Sequence, residues 1–118
     1  MILIAEDDKQ VQRAYVRLLR GHVLRIFDDA ADALEAIEGG LRPDVIISDL
    51  DMPRMLGSSF CIAVRQLGLK TPFMLVSGSD GLASLAKECG ADAWSMKGVD
   101  SISKITDFAK ADIGEKSP

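Results

Sequence analysis

The hydrophobic positions of this chain fall into two alternating kinds of stretch. MILIA (1–5), VIIS (45–48) and FMLV (73–76) are apolar throughout, apart from the closing serine of the second. Continuous apolar runs of this length suit strands covered on both faces, as in a parallel sheet. VLRIF (23–27) is more mixed and reads as an edge strand, and AWSM (93–96) is a fifth, weaker strand. Between these runs the apolar residues return at helical spacing. Val11, Ala14, Tyr15, Leu18 and Leu19 lie at i, i+3, i+4, i+7 and i+8, one face of a helix. Phe60, Ala63, Val64 and Leu67 repeat that spacing, as do Leu82, Leu85, Ala86 and Cys89. Ala33, Leu34 and Ile37 fit a short helix, and Ile102, Ile105 and Ala109 line a final one. Gly21, Gly39-Gly40, Gly68 and Gly90 each follow a helical stretch, where helices commonly stop.

Strand and helix therefore alternate five times, which predicts an α/β fold: a five-stranded parallel sheet with helices on both faces. The expected strand order is 2-1-3-4-5, the flavodoxin-like arrangement. A chain of 118 residues fits one domain, expected over residues 1–113, with 114–118 as a frayed tail. Hydrophobic residues make up 47% and charged residues 27%, an ordinary globular mix. The net charge of −4, without a run of Lys and Arg, argues against nucleic acid as a direct partner. Cys61 and Cys89 form no CxxC pair, and no His lies at metal-ligand spacing; both read as small core residues in a reducing compartment. The apolar start is too short for a signal peptide, and no segment approaches the roughly 20 apolar residues of a membrane span. The expectation is a soluble, cytoplasmic protein with no membrane partner.

In this architecture ligands bind beyond the carboxyl ends of the strands, where strand order reverses. Strand one exits into Glu6, Asp7 and Asp8, strand three into Asp49 and Asp51, strand four into Ser77, Gly78 and Ser79, and strand five into Lys97. Acids, a hydroxyl and an ammonium thus converge on one edge of the sheet. Two like charges ~4 Å apart repel by about 4 kcal/mol at an effective dielectric near 20, so cations must offset them. Lys97 supplies one charge. Carboxylate oxygens with open water positions suit Mg2+, which takes one or two carboxylates plus a phosphate. An aspartate held beside such charges is a nucleophile able to form an aspartyl phosphate, and Ser77 is placed to hydrogen-bond the phosphoryl group.

With these residues in place, the sequence resembles the response-regulator receiver domain, the CheY-like family, over essentially the whole chain. ILIAED (2–7) is similar to its first-strand motif, with Glu6 and Asp7 as the acidic pair. DVIISDLDMP (44–53) is similar to the strand ending in the phosphoacceptor, here Asp49. MLVSGSD (74–80) is similar to the region of the switch hydroxyl, here Ser77, and GADAWSMK (90–97) to the stretch ending in the family's lysine, here Lys97. The resemblance implies Mg2+-dependent transfer of a phosphoryl group onto Asp49 from a sensor histidine kinase or phosphotransfer protein. It implies a metal held by Glu6, Asp7, Asp49 and the backbone carbonyl of Asp51. It also implies that Ser77 and Trp94 switch the surface of helix four, strand five and helix five toward a downstream effector or output domain, or toward a second copy in a homodimer. Such a domain is a phosphoacceptor with self-phosphorylation and self-dephosphorylation only, not an enzyme on other substrates. The chain departs from the family at Gly98, where Pro is usual, at Trp94 in place of Tyr or Phe, and at Leu56, where Asp is frequent.

Plainer readings stand beside these. Asp7 followed by Gln10 has the form of a capping box, Asp8 reads as a cap or solvated charge, and Ser79 and Asp80 read as caps of helix four. The Asp51 side chain is expected to face solvent, Trp94 reads equally as half-buried packing, and His22 reads as loop. Two rival functions share the residues. Asp49-Leu50-Asp51 has the DxD form of haloacid-dehalogenase-type phosphatases, but Pro53 replaces the expected Thr and the motif falls on strand three rather than one. The other rival is a receiver-like binding module not controlled by phosphate.

Overall fold

The computed structural model describes residues 1–98 and 101–113, so the tail expected over 114–118 lies outside the described residues. Strands β1 (Ile2–Ala5), β2 (Leu24–Phe27), β3 (Val45–Asp49), β4 (Phe73–Ser77) and β5 (Ala93–Met96) alternate with helices α1 (Lys9–Leu18), α2 (Ala30–Glu38), α3 (Gly57–Gln66), α4 (Leu82–Cys89) and α5 (Ser101–Ala109). A short 3-10 turn follows at Lys110–Ile113. All strand pairs are parallel and the order is β2-β1-β3-β4-β5, the predicted arrangement. Ile2 pairs with both Leu24 and Val45, Ile46 with Phe73, and Met74 with Ala93.

The three apolar runs form the three central strands because both of their faces are covered. Successive side chains on a strand point to opposite faces. Leu3, Ala5, Ile46, Phe73 and Leu75 point into one core, under α2, α3 and α4. Ile2, Ile4, Val45, Ile47, Met74 and Val76 point into the other, under α1 and α5. Phe60 of α3 meets Phe73 edge-on with ring centroids 5.4 Å apart, a favoured aromatic geometry. β2 lies at the edge, and its residues are correspondingly less buried. Cys61 and Cys89 are free and buried in the first core, as expected, where burial pushes the Cys61 thiol up to about 12 with the neighbouring Cys89 adding to it.

The helices bury less than the sequence pattern indicates. Tyr15 and Leu19 are buried, but Ala14, on the same predicted face, is exposed. Ile105 and Ala109 of α5 are buried while Ile102 is open to solvent, and Leu67 at the end of α3 is exposed too. Ile102 and Leu67 sit at helix ends. The cap assignments also divide. Asp8 caps α1, its carboxylate accepting from the backbone N–H groups of Gln10 and Val11, so Asp7 is left free of that task. Ser79 and Asp80 do not cap α4. Gly81 occupies the N-cap in the left-handed region, at φ 79°, with no side-chain hydrogen bond. The Ser79 N–H is committed elsewhere, to the hydroxyl of Ser77.

Candidate functional site

The carboxyl ends of β1, β3, β4 and β5 bring five predicted side chains to one edge of the sheet. Asp49 is the last residue of β3 and is 5% exposed. Its carboxylate lies 3.2 Å from the Lys97 Nζ, the residue just beyond β5. Glu6 and Asp7, just beyond β1, complete the group: carboxylate oxygens of Glu6, Asp7 and Asp49 all lie within 4.8 Å of one another. Parallel register produces this convergence, because β1 and β3 run side by side in step to Ala5 and Ser48 and so end level.

The electrostatics reflect the crowding. Burial pushes the Glu6 carboxyl from 4.5 up to about 7, and the charges of Asp49 and Asp7 add to the rise. The backbone N–H of Asp8, donating to Glu6 Oε2 at 3.1 Å, and the Lys97 ammonium oppose it. Burial lowers the Lys97 ammonium, but Asp49, Glu6 and Asp7 together outweigh it, and the net shift is upward. Tyr15 of α1 has its phenol pushed up by burial and by the charges of Glu6 and Asp49. Three hard carboxylate oxygens around one point form a donor set suited to a small divalent cation.

The loop that follows β3 is fixed around Asp49. Gly57 opens α3 directly against it: a Cβ there would sit 2.3 Å from the Asp49 backbone oxygen, so the position admits no side chain. The Gly57 N–H donates to the Leu50 carbonyl at 2.9 Å, closing the loop. Arg54 reaches from that loop to Asp29 and Asp32 at the start of α2, 3.1 Å from each. Sequence reasoning missed this anchor, and no spacing marks it, because a long side chain crosses between elements.

Ser77 ends β4 and is fully buried. Its hydroxyl donates to Asp51 Oδ2 at 3.1 Å and accepts from the Ser79 N–H at 3.0 Å. This corrects the expectation that the Asp51 side chain serves only solvent: the residue is exposed, yet its carboxylate is turned back onto the hydroxyl. Trp94 is 36% exposed on β5, and the Lys104 ammonium of α5 lies 4.7 Å from its ring centroid, so the indole faces outward against a cation rather than inward. His22 is more than loop, for its Nδ1 lies 2.8 Å from Asp112 Oδ2 and ties the turn after α1 to the end of the fold.

A family model described as the response regulator receiver domain matches residues 2–110. The chain belongs to that family. Receiver domains are signalling domains of two-component response regulators rather than enzymes in the ordinary sense, and they typically bind Mg2+ through acidic residues of the kind clustered here. The "Regulator of RpoS" of Escherichia coli (strain K12) is 32% identical over 114 residues, which cover 93% of this chain and 34% of that protein. "Response regulator MprA" of Mycobacterium ulcerans (strain Agy99) is 30% identical over 100 residues, 81% of this chain and 43% of that protein. The receiver chain thus spans between a third and a half of these relatives' length. Among solved structures, the chemotaxis protein CheY4 of Vibrio cholerae superposes with a TM-score of 0.80 at 26% identity, covering 93% of this chain and 96% of that one. The signal receiver domain of a signal transduction histidine kinase from Syntrophus aciditrophicus gives 0.81 at 26% identity, covering 99% and 92%. Relatives of this kind act, in general, with histidine kinases and effectors. Among the described residues no helix is long and apolar enough to cross a membrane.

Proposed function

We propose that this receiver takes a phosphoryl group onto Asp49 from a sensor histidine kinase or phosphotransfer protein. The observation that carries the reading is the Lys97 ammonium 3.2 Å from the Asp49 carboxylate, with Glu6 and Asp7 gathered around the same point. An Asp49 carboxylate oxygen attacks phosphorus, the new O–P bond forming as the P–N bond to the donor imidazole breaks. The electron pair leaves on that nitrogen. Glu6, Asp7, Asp49 and the Asp51 backbone carbonyl would hold Mg2+, which when bound neutralises negative charge on the transferring oxygens. Lys97 pairs with Asp49 and stays charged, so it offers its ammonium to the same oxygens. Water later attacks phosphorus and restores the Asp49 carboxylate with release of inorganic phosphate.

Ser77 and Trp94 pass the event outward in this reading. Ser77 is drawn toward the phosphoryl group, and the Lys97 N–H, donating to the Ser77 carbonyl at 3.0 Å, links that movement to β5. The surface of α4, β5 and α5, with Trp94 on it, is then presented to an effector, an output domain or a second copy. The domain itself spans residues 1–113 and works in the cytoplasm. The DxD form of Asp49-Leu50-Asp51 is all that a dehalogenase-type phosphatase has in its favour, and the family match over residues 2–110 weighs against it.

The test is incubation with a small phosphodonor and Mg2+, followed by intact mass. One phosphoryl group per chain is expected, absent in Asp49→Asn and absent when the metal is chelated. Steady multiple turnover of an aryl phosphate, or an unchanged mass over a wide donor range, would sink the reading.

A further inference from the structure

The hydroxyl of Ser77 has one proton to give. A serine donates a single hydrogen bond while its oxygen can accept others. In this protein that proton goes to Asp51 Oδ2, and the oxygen accepts from the Ser79 N–H. The side chain is fully buried, so no bulk water competes for it. A phosphoryl group on Asp49 offers only acceptor oxygens, and Ser77 can donate to it only by giving up Asp51.

We propose that Asp51 is a positioning residue that gates the switch hydroxyl: its carboxylate holds Ser77 in the resting arrangement and opposes the switched one. The proposal rests on the phosphoacceptor reading of Asp49. Geometry supports it from two sides. The Asp51 N–H lies 3.4 Å from Asp49 Oδ1, so the residue is seated on the phosphoacceptor by its backbone while its side chain reaches the hydroxyl. Two residues beyond the end of β3, it thus contacts both Asp49, which ends β3, and Ser77, which ends β4. The Asp51 side chain is exposed, so the hydrogen bond is of the modest, solvent-weakened kind. Its loss should ease switching several-fold rather than by orders of magnitude.

The experiment titrates beryllofluoride, a phosphoryl mimic, with Mg2+ present, into the wild type, Asp51→Ala, Asp51→Asn and the same substitutions on a Ser77→Ala background. The readouts are the NMR amide signal of Ser79 and the fluorescence of Trp94, the single tryptophan of the chain. Asp51→Ala is expected to lower half-saturation about five-fold, the value of a net hydrogen bond. Asp51→Asn, which keeps an acceptor oxygen but no charge, should fall between. Even before beryllofluoride is added, the Ser79 amide should shift in Asp51→Ala, because the hydroxyl it donates to is released. On the Ser77→Ala background the effect of Asp51→Ala should vanish. An equal effect with and without the hydroxyl overturns the gate and assigns Asp51 to plain charge repulsion, and no change in any readout overturns it outright. Intact mass after phosphodonor treatment separates the two claims. Labelling of Asp49 in Asp51→Ala alongside an unmoved half-saturation rejects the gate alone, whereas absence of labelling in the wild type rejects the parent reading and the gate with it.

Discussion

Gly57 leaves no room for a methyl group, and what it would strike is the backbone of Asp49 itself. A Cβ would meet that carbonyl oxygen at 2.3 Å and the Leu75 side chain at 3.0 Å. Gly57→Ala is therefore expected to destabilise the fold by about 1–3 kcal/mol, the usual range for overpacking, measurable by urea unfolding. Labelling of Asp49 should slow in the same variant, since its carbonyl must move. Lys97 acts more directly. Lys97→Ala removes the ammonium from Asp49 and should slow phosphoryl labelling by about 10²-fold, on the scale of losing one preorganised donor. A slowing that matched only the change in stability would contradict the role. Asp49, Asp7 and Lys97 were readable from sequence because each stands just past an apolar run, and parallel register does the rest. The Asp51–Ser77 bond and the Arg54 anchor were not, because each depends on which way a side chain turns after the backbone is placed.

The helices and strands themselves were legible where one period dominates. Runs apolar at every position became central strands, and the mixed run became the edge. Helix ends were less legible, since capping is decided by single backbone angles. Ser79 and Asp80 have the composition of caps, yet the chain turns through the left-handed Gly81 and gives the Ser79 N–H to Ser77. Helix α3 has the converse defect. Leu56 occupies its N-cap with extended backbone angles, φ −67° and ψ 147°, but offers no side-chain acceptor, and it is 48% exposed. Leu56→Ser keeps the backbone geometry and supplies the missing oxygen. It should raise stability by about 0.5–1 kcal/mol in urea unfolding without slowing Asp49 labelling. A loss of stability would mean that the leucine, despite its exposure, packs against something worth more than the cap.

Across the whole molecule, the ends of β1 and β3 gather more negative charge than Lys97 balances, and the most buried of these acids, Glu6, responds most strongly. Its carboxyl titrates at about 7 when folded and near 4.5 when not, because burial disfavours the charged form. Between those values the unfolded chain holds fewer protons than the folded one. The Glu6 contribution to stability is then fully present below the lower value and is lost as pH rises through the window, by up to roughly 3 kcal/mol. A cation bound among Glu6, Asp7 and Asp49 opposes this dependence, since it favours the ionised carboxylates and competes with the proton. At a hundred times its dissociation constant the ion adds about 2.7 kcal/mol. Thermal unfolding from pH 5 to pH 8, with Mg2+ and with chelator, should therefore show a declining curve without metal and a flatter one with it, the gap widening at high pH. Glu6→Gln should flatten the metal-free curve. A gap of constant width across the pH range, or one that Glu6→Gln leaves unchanged, would place the cation's stabilisation somewhere other than at this cluster.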